Sequence, residues 1–67
     1  MTYPNLRAEI ARRGLTTAAI AQELGITRAT LSAKLNGRSE WTLEESKTVK
    51  TYIGTTMPLE LLFKKED

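Results

Sequence analysis

The sequence has no cysteine and no histidine. The first absence excludes disulfides, and the two together remove the side chains that hold most transition metals, so neither a metal site nor a cofactor is expected. They also remove the commonest nucleophile and general base. Serine and threonine are left without a partner base, and the carboxylates fall mostly at helix caps or exposed positions, so the chain reads as a non-enzyme with no small-molecule ligand. No apolar run approaches the length of a membrane span, and no signal-peptide layout opens the chain, so no membrane partner is expected. Lack of cysteine suits a reducing compartment, and the expected location is cytoplasmic. The 67 residues make one small domain, residues 1–67, whose stability must come from packed aliphatics or from self-association.

Charge is also scarce in net terms, at +2, but it is unevenly placed. Residues 1–38 hold six basic side chains against two acidic ones, a net +4, and residues 39–67 hold four against six, a net −2. A basic N-terminal half is what attraction to phosphate requires.

That half contains the stretch around which the chain is organised, residues 16–37, TTAAIAQELGITRATLSAKLNG. Thr16 is placed to cap a helix over residues 18–24, with Ile20 and Leu24 four apart on one face. Gly25 stops it where a left-handed residue costs least, Ile26 spans the corner, and Thr27 caps a second helix that runs to Leu35. Asn36-Gly37 is the closing turn signal. Small Ala21 lets the two helices approach, while Ile20, Leu24, Ile26 and Leu31 wedge the angle between them. This order is that of a helix-turn-helix. On the second helix Leu31 and Leu35 define the buried face, leaving Arg28, Ala29, Ser32 and Ala33 on the other side with Thr27 at the start. A recognition helix offers such N-terminal residues to base edges. Arg28 suits guanine O6 and N7, Ala29 and Ala33 could touch a thymine methyl, and Ser32 can donate or accept. Lys34 borders the buried stripe, so its stem can pack while its ammonium reaches water or phosphate.

Elsewhere, Met1 to Pro4 reads as a short arm, with Pro4 biasing Tyr3 towards an extended backbone. Asn5 is a candidate cap for a first helix over residues 6–13 that ends at Gly14, with Leu6 and Ile10 inward and Arg12 and Arg13 in the last turn beside the helix dipole. Trp41 precedes a capping box, Thr42-x-x-Glu45, in the position of an apolar residue that packs back on the domain. The fourth helix is expected from Leu43 to about Tyr52, with Leu43, Val49 and Ile53 able to face the core. Gly54 ends it, and Pro58 opens the first turn of a last short helix carrying Leu59, Leu62 and Phe63.

The run LTTAAIAQELGITRATLSAKLNGRSEWTLEE (residues 15–45) resembles the lambda-repressor/Cro-like (XRE) helix-turn-helix family, especially its short prophage regulators, and the likeness extends from about Leu6 to Phe63. The resemblance implies an all-α, five-helix fold in which helices 2 and 3 form the DNA-reading pair. It further implies that the start of helix 2 abuts the DNA backbone, which places Thr16 and Thr17 in the phosphate-facing set, Thr16 chiefly as cap and Thr17 as contact. In the family the loop after helix 3 binds phosphate through its Asn, its backbone N–H groups and a basic residue, here Asn36 and Arg38, with Lys34 beside them. Two positions depart from the pattern: Thr17 stands where Gln is frequent, and Lys34 where an aliphatic residue is usual. The function so implied is sequence-specific binding of a double-stranded DNA operator by a Cro- or repressor-like transcriptional regulator, with a homodimer expected. The alternatives are a DNA-binding antitoxin or recombination accessory protein, or a protein-interaction module that has lost DNA binding.

Overall fold

The structure is a computed structural model that describes residues 2–66; Met1 of the expected arm lies outside them. The described residues form five helices and no strand: α1 Pro4–Arg12, α2 Thr17–Leu24, α3 Arg28–Leu35, α4 Leu43–Ile53 and α5 Leu59–Leu62. A threonine caps the start of each of the three middle helices. Thr16, Thr27 and Thr42 each sit in extended backbone and accept the N3 amide with the side-chain oxygen, at 3.1 Å in all three cases. At Thr42 the exchange is reciprocal, because Glu45 Oε1 accepts the Thr42 amide at 3.0 Å.

The start of the chain differs from expectation. Tyr3, not Asn5, precedes the first helix, and Tyr3 is left-handed (φ 55°) where an extended residue was expected. Pro4 disfavours the right-handed helical region for Tyr3 but leaves this alternative open. A left-handed non-glycine residue costs roughly 1–2 kcal/mol, and here it turns the Tyr3 ring into the core. The ring meets Trp41 and Phe63 edge-on, with centroids 6.5 and 6.2 Å away. Asn5 is thereby freed from capping, and its Nδ2 donates to Leu61 O at 2.8 Å, fastening α1 to α5.

Five side chains are wholly enclosed: Leu6, Ile20, Leu31, Val49 and Leu62. Each comes from a different helix, so the centre of the core requires all five elements at once. Burying one such side chain contributes about 1.5–3 kcal/mol. α2 packs on both α3 and α4, and α5 closes the assembly against α1 and α4. Trp41 joins the cluster from the α3–α4 connection, as its place before the cap suggests. Leu43 does not join it and is 65% exposed. The buried stripe of α4 runs through Ser46, Val49 and Ile53, and at 100° per residue Leu43 lies roughly 90° off it. Ser46 fills the inward position instead, its hydroxyl donating to Thr42 O at 3.0 Å. Pro58 stands just outside α5 as its N-cap residue rather than within its first turn. Among the described residues no helix is long and apolar enough to cross a membrane.

Candidate nucleic-acid interface

The turn between α2 and α3 is fixed by backbone geometry. Gly25, at φ 71°, donates to Gln22 O at 3.1 Å, and Ile26 donates to Ala21 O at 3.0 Å. These are the paired bonds of a Schellman closure, which needs a left-handed residue at the glycine. Ala21 is buried at the crossing of the two helices and Ile26 half-buried at the corner. The angle of α3 is therefore set by a closed turn and an apolar wedge, not by surface contacts.

On α3 the sequence division holds with one exception. Leu31 and Leu35 are buried, while Thr27, Arg28, Ala29 and Ser32 are exposed and Ala33 is half-buried. Among the described residues Arg28 has no ion-pair partner and no hydrogen-bond partner. The Thr27 oxygen is engaged by the Thr30 amide and lies 2.9 Å from the Thr30 hydroxyl, so it is tied to the cap. On α2, Thr16 and Thr17 are both exposed. The Thr16 oxygen takes up the Ala19 amide, and the first two helix amides, at Thr17 and Ala18, have no intrahelical carbonyl to meet. They are the donors an anion would find at that helix end.

The exception is Lys34. Its residue is only 7% exposed, and its ammonium donates to Glu40 O at 2.9 Å and to Glu45 Oε1 at 3.0 Å, with the Trp41 ring centroid 5.9 Å away. This replaces the expected phosphate contact: the charge is used inside the domain, binding the end of α3 to the start of α4. The stem packs as foreseen, but the head follows it inward because a carboxylate, a carbonyl and an aromatic face await it. Glu45 responds, its carboxyl held below the usual carboxylate range first by the Thr42 amide and then by Lys34.

The loop after α3 also departs from expectation. Its amides bond inward, from Asn36 to Ser32 O, Gly37 to Lys34 O, Arg38 to Ala33 O and Ser39 to Ala33 O, at 2.9–3.3 Å. They are not presented to an anion. Asn36 Oδ1 accepts from Arg7 Nη2 at 2.9 Å, and Asn36 Nδ2 lies 3.4 Å from Ser32 Oγ. Arg38 is exposed and, among the described residues, makes no ion pair.

Arg7 is the residue that sequence reasoning passed over. From α1 it donates to Thr2 O at 2.9 Å, to Leu35 O at 3.1 Å and to Asn36, so one guanidinium ties the N-terminus to the end of α3. It satisfies a terminal carbonyl and places a cation at the negative end of the helix dipole. No local pattern signals this, since the partners are 28 and 29 positions away. Arg12 and Arg13 pair with Glu9. Glu9 is 3% exposed, and its carboxyl is held below the usual range by a hydrogen bond from Thr55 and then by the two guanidiniums. Of the six cations in the basic half, only Arg28 and Arg38 project outward without an internal partner among the described residues. The charge asymmetry of the sequence thus has two sources, and most of it is structural.

A family model described as Cro/C1-type HTH DNA-binding domain matches residues 5–62, a span that includes both helices of the motif and the loop beyond them. No curated protein and no solved structure matches the chain.

Proposed function

The chain belongs to the Cro/C1-type helix-turn-helix family of DNA-binding domains, and from that premise we propose that it is a sequence-specific transcriptional regulator of the repressor type. The observation that carries this reading is the outward face of α3. Arg28, Ala29 and Ser32 lie exposed around its first turns, Arg28 as a cation without an internal partner among the described residues, while Leu31 and Leu35 lock the opposite face into the core. In this reading α3 lies in the major groove, with Arg28 donating to a guanine edge and Ala29 and Ala33 against thymine methyls. Thr27 and Ser32 meet bases at the rim of the contact. Thr16 and Thr17 set the α2 N-terminus on one phosphate, and Arg38 with Asn36 grips another beyond the far end of α3.

One copy offers few base contacts, so operator recognition uses two copies on half-sites about 34 Å apart. Bound there, the dimer excludes polymerase without need of a cofactor. The likeness to short prophage regulators supports a prophage origin.

The test is selection from random duplexes by the purified protein at two salt concentrations. An enriched motif repeated as an inverted pair is the expected result. A single unpaired motif replaces the dimeric repressor with a monomeric accessory factor. No enrichment by folded protein, with binding insensitive to salt, removes the regulator reading in favour of a protein-interaction module.

A further inference from the structure

The loop after α3 has a deficit of charge for the phosphate contact assigned to it. Its four amides are engaged internally, Lys34 is turned inward, and the C-terminal end of a helix carries partial negative charge. Arg7 offsets part of that field, but its guanidinium is engaged by Thr2, Leu35 and Asn36, so among the described residues Arg38 is the loop's one cation free to meet a phosphate. A second cation does reach the loop, from the opposite end of the chain. A Cβ built on Gly37 would lie 3.1 Å from Lys65 Cε and 3.3 Å from Lys65 Nζ, with the Thr2 methyl also at 3.3 Å. The Lys65 ammonium therefore rests over the turn, one residue from Arg38 and one from Asn36.

This placement follows from the core. Phe63 packs against Trp41 at 5.0 Å and Tyr3 at 6.2 Å between ring centroids, and Asn5 holds Leu61 O. The segment leaving α5 is thus anchored two residues before Lys65 and directed across the N-terminus towards the turn. Gly37, at φ 78°, supplies the left-handed residue of the turn and has no side chain, so the lysine can lie against it.

We propose that Lys65 is a DNA phosphate contact, pairing with Arg38 to form one cationic clamp on the backbone beyond the end of α3. The inference rests on the DNA-binding reading above. It also gives the charged residues after α5 a role that their sequence alone, Lys-Lys-Glu-Asp, does not indicate.

The experiment compares wild type with Lys65→Gln, Lys64→Gln and Arg38→Gln on both a selected and a random duplex, across a salt series. Both Lys65 and Lys64 are exposed, so the fold should be indifferent to either change. Lys65→Gln is expected to weaken both duplexes alike, by about five- to tenfold at 0.1 M salt, and to reduce the slope of log K against log salt by about one per bound copy. Lys64→Gln should leave the slope unchanged. If Arg38→Gln lowers the slope and Lys65→Gln does not, the proposal is overturned while the DNA-binding reading stands. A loss confined to the selected duplex overturns it too, by making Lys65 a base contact. A wild type without salt-dependent binding removes the reading and the proposal together.

Discussion

Arg28 occupies the first turn of α3, where the helix dipole disfavours a cation and the described residues provide no carboxylate to compensate. In the proposed complex a guanine edge, rich in acceptors, resolves that conflict. Arg28→Ala should cost about 1–3 kcal/mol on the selected duplex and relax preference at one base pair. Titrations of selected and random duplexes decide the point, since equal losses on both would reassign Arg28 to phosphate. Trp41 makes the opposite case. Its indole N–H is buried and has no hydrogen-bond partner among the described residues. The ring nevertheless stacks edge-on with Tyr3 and Phe63 and covers the Lys34 ammonium. Trp41→Ala should lower unfolding free energy by about 3–5 kcal/mol, measured by urea denaturation. A mutant of unchanged stability but weaker DNA binding would take Trp41 out of the core and place it on the nucleic acid.

Elements were legible wherever a boundary was written in adjacent residues. Thr16, Thr27, Thr42, Gly25 and Gly54 all act at the positions their types suggest, because capping and left-handed closure depend on a few neighbouring atoms. The start of α1 was not legible, because Tyr3 takes its backbone from the distant Trp41 and Phe63 rings, and Asn5 is drawn to Leu61. Leu43 and the Lys34 ammonium departed from their expected environments for a related reason. Burial at those positions depends on what faces the helix, and apolarity alone does not report it. At the candidate interface, the exposed face of α3 followed from periodicity, whereas Arg7 and the inward amides of the loop required the three-dimensional arrangement. The two turns bordering α3 offer a matched comparison. At Gly25 an added Cβ meets nothing within 4 Å, so Gly25→Ala isolates the left-handed backbone penalty, about 1 kcal/mol. Gly37→Ala carries the same penalty and also presses on Lys65 and Thr2. It should be the more destabilising of the two and should weaken DNA binding by displacing the lysine. Denaturation curves giving equal losses, with unaltered DNA affinity for Gly37→Ala, would remove any role for that contact.

For the molecule as a whole, two carboxylates join parts that no helix unites by itself. Glu9 pairs with Arg12 and Arg13 at the end of α1, and its carboxyl is held low first by Thr55, in the segment after α4. Glu45 links α3 to α4 through Lys34 while completing the capping box. Both carboxyls titrate below their ordinary value of 4.5. Between the folded and unfolded values the unfolded chain binds more protons, so stability rises with pH across that interval. The contribution is complete above about pH 4.5 and disappears as pH falls through the lowered folded values. With no histidine to titrate, stability should be nearly level from about pH 5.5 to 8 and then decline steeply in acid. Glu45→Gln separates the charge from the cap, because glutamine can still accept the Thr42 amide. That variant should be less stable than wild type near neutrality and lose less on going to pH 3, so that the two urea midpoints converge in acid. Parallel curves would mean that the Lys34–Glu45 pair contributes nothing to the pH dependence, leaving Glu9 to carry it. Convergence would show that the buried Lys34 ammonium, paired with Glu45, holds α3 to the start of α4.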